Sequence, residues 1–576
     1  MDYKAKYKEW LENPYFDQKT KEELLAISND EHEIKERFYT ELAFGTGGLR
    51  GIIGAGTNRF NMYTVGKATQ GLANYIIKQG CSTQGVAIAY DSRRMSPEFA
   101  NAAALVLAAN GIKAYLFDAL RPTPELSFAV RKLGCVAGVN ITASHNPPEY
   151  NGYKVYWADG AQVTPPHDAD IMDEVQRIVD YTTIKTITVE EAKARGLYEL
   201  IGAEIDDAYI AELKKLILHP EAITATGKEI KIVYSPLHGT GNLPVRRILK
   251  EVGFEHVYVV KEQELPDGEF PTVAYPNPEA EEAFELGLKL AKEVDADIVL
   301  ATDPDADRLG VRVRDKDGEY HELTGNMLGC LLAEYIIAQR KALNRLPKDG
   351  YLVKTIVTTN MADAIGKQYG VNVIEVLTGF KYIGEQILRS ETLGIGEYLF
   401  GFEESYGCLI GTHARDKDAV GASLALCEAT AFYKTKGITL WDAMMELYDR
   451  YGYYYDGIEN FTLKGIEGVA KIQEIMDTLR DNPLTMLGEH QVLKIRDYER
   501  NTITDLTSGE VIPTGLPRSN VLYYEFEKDM WMCVRPSGTE PKMKFYFGVN
   551  ENSITKSIAI STLTREEIIR LVEKML

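Results

Sequence analysis

Residues 85–118 read GVAIAYDSRRMSPEFANAAALVLAANGIKAYLFD. An apolar strand-like run is followed by a polar loop, a helical stretch ending near glycine, and a second apolar run. The same order returns twice, as KIVYSPLHGTGNLPVRRILKEVGFEHVYVV at 231–260 and as YLVKTIVTTNMADAIGKQYGVNVIEVL at 351–377. Parallel strands cannot be joined by a tight turn and need a helical crossover, so each segment reads as a βαβ unit. Three such units spread along the chain predict three α/β domains of related topology.

The chain changes character after about residue 450. An aromatic entry (Tyr451, Tyr453, Tyr454, Tyr455) leads into several short strand-like runs, and a final helix is expected from Arg565 to Leu576. This part reads as a separate, smaller α+β domain. A chain of 576 residues exceeds one hydrophobic core, and no low-complexity linker interrupts it. The predicted division is 1–203, 204–323, 324–450 and 451–576.

Hydrophobic content of 45% and charged content of 26% are ordinary for a globular protein. No apolar stretch approaches the roughly 20 residues that span a bilayer, and the opening MDYKAKYKEWLENPYF lacks a signal-peptide core. A cytoplasmic enzyme with no membrane partner is the expectation. Six cysteines (Cys81, Cys135, Cys330, Cys408, Cys427, Cys533) are scattered without a CxxC pair, which argues for reduced thiols rather than zinc or disulfides. A net charge of −21 argues against nucleic acid as a partner. Any anionic substrate must therefore be met by local arginines, lysines and backbone N–H groups.

Thr142-Ala143-Ser144-His145-Asn146-Pro147 follows the apolar run 136–141 and presents a hydroxyl at a sharp turn. No GxSxG elbow occurs, which counts against a hydrolase use of Ser144. In an extended segment adjacent residues point to opposite sides, so His145 is not obviously the base for Ser144, and a structural or substrate-side role stands equally open. Asp303-Pro304-Asp305-Ala306-Asp307-Arg308 sets three carboxylates at alternate positions just past a strand, where oxygen ligands suit a hard cation such as Mg²⁺. The Gly and Glu of an EF-hand loop are replaced by Arg308 and Arg314. Arg535-Pro536-Ser537-Gly538-Thr539-Glu540-Pro541-Lys542 combines a forked donor, hydroxyls and a glycine, the makings of an anion cradle. Gly401-Phe402-Glu403-Glu404-Ser405-Tyr406-Gly407 offers carboxylates and a hydroxyl to sugar hydroxyls, and Phe44 to Gly51 is a glycine-rich loop without the Lys-Ser/Thr of a nucleotide P-loop. The set points to phosphoryl transfer, with Ser144 as the carrier.

TASHNP, DPDADR, GFEESYG and RPSGTEPK, in this order and spacing, resemble the α-D-phosphohexomutase superfamily, and with FGTGGLRG the phosphoglucomutase/phosphopentomutase branch. The resemblance spans residues from about 40 to 548. It implies an α/β fold of four domains around a central cleft, the last domain smaller. It makes Ser144 the phosphoserine, and Asp303, Asp305 and Asp307, with Ser144, the Mg²⁺ site. Glu403 and Ser405 would bind sugar hydroxyls, and Arg535, Ser537, Gly538 and Thr539 the phosphate that is not reacting. Arg50 and Lys154 match positions near the transferring phosphoryl group, and Arg308, sixth in the acidic loop, is able to hold a phosphate beside the metal. Thr378, Gly379 and Lys381 match the loop that tells sugar orientations apart, and His413 and Lys417 a segment reaching into the cleft. The family's Lys-Asp-Gly stands here as Lys417-Asp418-Ala419.

The activity so implied is interconversion of glucose 1-phosphate and glucose 6-phosphate, with glucose 1,6-bisphosphate as intermediate and activator, in a monomer or homodimer. A pentose phosphomutase or a phosphomannomutase is the runner-up; a non-catalytic phosphosugar-binding protein and a serine phosphatase are the other classes. A base must take the proton of the sugar hydroxyl, and Lys154, His145 and Lys417 are the candidates.

Overall fold

The computed structural model describes residues 2–42, 48–463, 465–537 and 542–576. Two compact units divide the chain: Met1–Thr324 with Gly379–Gly401 and Ser405–Leu440, and Gly325–Thr378 with Phe402–Glu404 and Trp441–Leu576.

The first unit holds two sheets. One runs in the order Leu49–Ile52, Tyr150–Trp157, Ala137–Ile141, Val86–Tyr90, Ala114–Phe117, Tyr198–Ile201. Val86–Tyr90 pairs in parallel with Ala114–Phe117 across the helix Ser96–Ala109, the first expected βαβ unit. Every residue of Val86–Tyr90 and Ala137–Ile141 is buried, as parallel strands covered on both faces must be. Tyr150–Trp157 runs antiparallel to Ala137–Ile141 and to Leu49–Ile52, so the sheet is mixed. The turn carrying Ser144 joins these two central strands.

The second sheet has the order Tyr320–Leu323, Leu309–Arg314, Ile298–Thr302, Lys231–Ser235, His256–Val259. Lys231–Ser235 pairs in parallel with His256–Val259 across the helix Asn242–Val252, the second βαβ unit. Ile298–Thr302 leads straight into the acidic loop, which ends where Leu309–Arg314 turns back antiparallel.

In the second unit Gly350–Thr355 pairs in parallel with Asn372–Val376 across Met361–Tyr369, the third βαβ unit. After residue 450 the aromatic entry becomes the strand Tyr453–Thr462, paired along its length with Lys542–Glu551 in an eight-stranded sheet. The closing helix is longer than expected, Ile554–Glu573 rather than Arg565 to Leu576. The run of Ser, Thr and Ile before Arg565 argues weakly for helix by propensity. Its start is fixed by Ser553, whose hydroxyl caps the Lys556 N–H. Buried Ser557, Ser561, Thr564, Ile568 and Val572 then form one helical face.

All six cysteines are free thiols. Among the described residues no helix is long and apolar enough to cross a membrane.

Candidate active site

Ser144 sits at φ 53°, in the left-handed region, at the turn between the two central strands. Its own N–H donates to Thr142 Oγ1 at 2.8 Å. Its hydroxyl donates to Asp303 Oδ2 at 2.7 Å and stands 3.2 Å from His145 Nδ1. His145 thus lies beside Ser144, where alternation along an extended segment would have turned it to the other side. Side-chain alternation holds for extended backbone, and a left-handed residue breaks it.

The acidic loop is wound so that its carboxylates converge. Ala306 takes φ 49°, and Asp303 Oδ1 accepts the N–H groups of Asp307 and Arg308, both at 3.0 Å. Pro304 packs directly on Gly239, where an added Cβ would lie 2.4 Å from Pro304 Cα. Thr240 donates both its N–H and its hydroxyl to the Pro304 carbonyl, at 2.8 and 2.9 Å. One oxygen from each of Asp303, Asp305 and Asp307 lies within 4.8 Å of the others, and all three residues are buried. Asp305 Oδ1 and Asp307 Oδ1 are buried without a hydrogen-bond partner. Two orphaned carboxylate oxygens in an all-oxygen donor set fit a hard divalent cation.

Cations of the chain crowd the same place. Lys154 Nζ lies 2.7 Å from Asp305 Oδ2 and 3.5 Å from Asp307 Oδ2; Lys417 Nζ lies 3.3 Å from Asp307 Oδ2. Burial, then the charges of Asp305 and Asp307, raise the Asp303 carboxyl well above its ordinary value. Burial pushes Asp305 and Asp307 the same way, yet both are held below it: Asp305 chiefly by Lys154, Asp307 by Lys417, Lys154 and Arg308. Burial and the guanidinium groups of Arg308, Arg50 and Arg93 push His145 well below its ordinary value, so its ring is neutral. Arg308 is bonded to Glu279, with its Nε 3.9 Å from Asp307 Oδ1. Arg50 lies on the edge strand opposite Gly152, and burial lowers its pKa while Asp305 and Asp307 pull it back.

Lys417 has a path made for it. Its ammonium is 5.4 Å from the Phe380 ring centre, and a Cβ on Gly407 would lie 2.0 Å from its Cδ. Lys381 Nζ, one residue beyond Phe380, is 3.4 Å from Asp168 Oδ2. Gly379 takes φ 123° just before that helix, and Ser405 is half-buried in the same unit.

His413 is not brought to the aspartates. Its Nε2 is 2.7 Å from Asp418 Oδ2, and its ring lies beside Tyr209. It lines a cavity of about 460 Å³ with Phe128, Arg131 and Leu216, and none of the three aspartates lines that cavity.

The remaining expected residues belong to the second unit. Arg535 faces Lys544 across the strand pair Trp531–Pro536 and Lys542–Glu551, and Ser537 N–H donates to the Lys542 carbonyl at 2.7 Å. Burial and the charge of Glu403 raise the Glu404 carboxyl to about 7, with Lys544 and Arg535 pulling it back. Thr378 Oγ1 is buried without a partner. Gly538 and Thr539 lie outside the described residues.

Residues not singled out from the sequence complete the first cluster. Arg93, 1% exposed, donates from Nη2 to the carbonyls of Ser144 (2.6 Å) and Asn146, and from Nη1 to those of Pro147 (2.8 Å) and Tyr150 (3.0 Å). Its Nε is 3.5 Å from Asp91 Oδ2, and its guanidinium lies over the Phe270 ring. It straps the Ser144 turn from below. Thr123 donates to Asp305 Oδ2 at 2.8 Å, and Asn140 donates to Thr123 Oγ1 at 2.7 Å. Position offered one signal: Asp91-Ser92-Arg93 follows the C-terminal end of a parallel strand, where site loops gather in open α/β sheets.

The sequence profile "Phosphoglucomutase/phosphomannomutase, alpha/beta/alpha domain I" matches residues 41–182, its domain II counterpart 207–318 and its domain III counterpart 324–451. The chain is 38% identical over 523 residues to a phosphoglucomutase of Staphylococcus epidermidis, covering 90% of this chain and 92% of that one. Against a phosphoglucomutase of Staphylococcus aureus it is 36% identical over 515 residues, 89% and 90% of the two chains. Among solved structures, Paramecium parafusin (pp63, a phosphoglucomutase) in its open form superposes with a TM-score of 0.67 at 18% identity, covering 92% of this chain and 95% of that one. A phosphoglucomutase/phosphomannomutase family protein of Burkholderia thailandensis gives 0.63 at 19%, covering 92% and 97%. Those two likenesses speak to the fold.

Proposed function

The chain belongs to the phosphoglucomutase/phosphomannomutase family, and we propose that it interconverts glucose 1-phosphate and glucose 6-phosphate through a phosphoserine at Ser144 and a glucose 1,6-bisphosphate intermediate. The observation that carries this reading is the Ser144 hydroxyl, buried and 2.7 Å from Asp303 inside the three-aspartate cluster. Kinship with curated phosphoglucomutases over nine-tenths of the chain supports the choice of glucose.

Asp303, Asp305 and Asp307 would hold Mg²⁺, which when bound neutralises phosphoryl oxygens on Ser144. Phosphoryl transfer through a loose transition state asks for charge and in-line placement, and Arg50 and Arg308 add cationic charge there. Lys154, committed to Asp305 and Asp307, keeps those carboxylates in register. Neutral His145, beside Ser144 Oγ, suits the serine side of proton transfer, and Lys417 the sugar side. Glu403 and Ser405 take sugar hydroxyls; Thr378, Gly379 and Lys381 sense the sugar's orientation; Arg535, Ser537, Gly538 and Thr539 hold the idle phosphate. By this reading His413 serves the placement of Asp418 rather than the substrate. The functional division follows 1–203 for the serine, 204–323 for the metal, 324–450 for the sugar and 451–576 for the idle phosphate.

The test is intact mass of the wild-type and Ser144→Ala proteins, with a glucose 1-phosphate assay containing Mg²⁺ and catalytic glucose 1,6-bisphosphate. A phosphate-sized mass excess lost in the variant, with activity down by more than about 1,000-fold, is expected. An active Ser144→Ala protein would place the carrier elsewhere. Comparing kcat/KM for glucose, mannose and ribose 1-phosphates tests the sugar; equal or better turnover of ribose 1-phosphate would overturn glucose.

A further inference from the structure

We propose that Tyr156 and Asp416 are positioning residues that set the ammonium of Lys417 at the aspartate cluster. The assignment rests on the reading of Lys417 as a proton-transfer group of the mutase reaction. Alternation along Tyr150–Trp157 puts Lys154 and Tyr156 on the same face of the strand. Lys154 reaches Asp305 directly, whereas Tyr156 reaches the cluster through two further side chains.

Tyr156 Oη donates to Asp416 Oδ2 at 2.9 Å. Asp416 Oδ1 accepts Lys417 Nζ at 2.9 Å and the Lys417 N–H at 2.8 Å. Lys417 Nζ is in turn 3.3 Å from Asp307 Oδ2. Both carboxylate oxygens of Asp416 are thus in use, one fixed by the phenol and one holding the lysine. Tyr156 is fully buried and Asp416 is 3% exposed, so bulk water does not compete for these bonds.

A lysine head is a compact charge on a flexible four-carbon stem, which by itself does not fix a proton-transfer geometry. Here the stem runs over Gly407 and beside the Phe380 ring, and Asp416 fixes its tip. Packing alone does not account for the hydroxyl of Tyr156. A phenylalanine fills nearly the same space and leaves Asp416 Oδ2 buried without that donor.

The experiment uses the full-length enzyme with Mg²⁺ and glucose 1,6-bisphosphate, after wild-type turnover of glucose 1-phosphate has been established. Y156F, D416N, K417M and the double variant Y156F/K417M are compared, with melting temperature measured on each. Misplacing Lys417 by about 1 Å is expected to lower kcat about 100-fold in D416N and about 10-fold in Y156F, with KM moved less than about 2-fold. In the K417M background Y156F is expected to cost nothing further, since its effect runs through the lysine. Losses that multiply in Y156F/K417M, or a Y156F enzyme with wild-type kcat, overturn the assignment. A K417M enzyme that keeps its activity also overturns it while leaving the mutase reading standing. A wild-type protein that fails to turn over glucose 1-phosphate, or any other sugar phosphate, overturns both.

Discussion

Ser144 Oγ donates a 2.7 Å hydrogen bond to Asp303 Oδ2 across 159 positions of sequence. The Ser144 hydroxyl and the acidic loop come from different sheets and meet as one site, and its chemistry is open to direct tests.

Divalent metal should stabilise the protein through the three aspartates. Dialysis against EDTA should abolish mutase activity, and Mg²⁺ should restore it. At about 100-fold excess over Kd, Mg²⁺ should raise Tm by about 2–4 °C. Asp305→Asn should lose most of that rise. A rise of the same size in Asp305→Asn would move the metal away from this cluster.

Removing Arg93 should be costly far beyond one surface arginine. Arg93→Met takes the guanidinium away from buried Asp91 and removes the side-chain donor from four backbone carbonyls of the Ser144 turn. A loss of about 3–5 kcal/mol in urea unfolding is expected, because breaking a buried pair strands the remaining charge. A variant within about 0.5 kcal/mol of wild type would show that the strap is dispensable.

Gly407→Ala should separate activity from stability. The new methyl lands 2.0 Å from Lys417 Cδ, and a flexible lysine stem can move aside at small cost to folding. The ammonium moves with it, so kcat should fall about 10–100-fold while Tm changes by only a few degrees. Unchanged kcat would mean that the position of Lys417 is not critical.

Asp456 should weaken the fold as pH rises. Its Oδ1 is buried without a partner, and burial lifts its pKa to about 6, with Thr359 and Lys354 pulling it back. The unfolded group titrates near 3.9. Between about pH 4 and 6 the folded chain therefore binds more protons than the unfolded one, and stability falls with rising pH; above 6 the full cost remains. Asp456→Asn should match wild type near pH 4 and exceed it by about 3 kcal/mol at pH 8. Parallel stability curves for the two proteins would refute this.

The legible parts of this chain were those written in local pattern. Three repeated strand–helix–strand runs announced parallel pairs, and alternate aspartates after an apolar run announced a convergent acidic loop. The illegible parts depend on backbone shape or on distance. His145 joins Ser144 because the serine leaves the extended conformation, which alternation cannot foresee. Arg93 works through backbone carbonyls, which carry no residue identity, at positions 51 to 57 further along. Tyr156 and Asp416 are 260 residues apart, and nothing in either segment names the other. The closing helix starts early because a serine cap and one buried face outweigh weak propensity.

The left-handed backbone at Ser144 also settles a question of chemical alphabet. Serine and threonine both offer an aliphatic hydroxyl that can be esterified by phosphate. At φ 53°, however, a β-branched side chain meets steric conflict that serine largely escapes. The turn thus selects between two chemically equivalent alcohols by shape alone, and it closes the easiest mutational route by which the hydroxyl proposed to carry phosphate could change its identity.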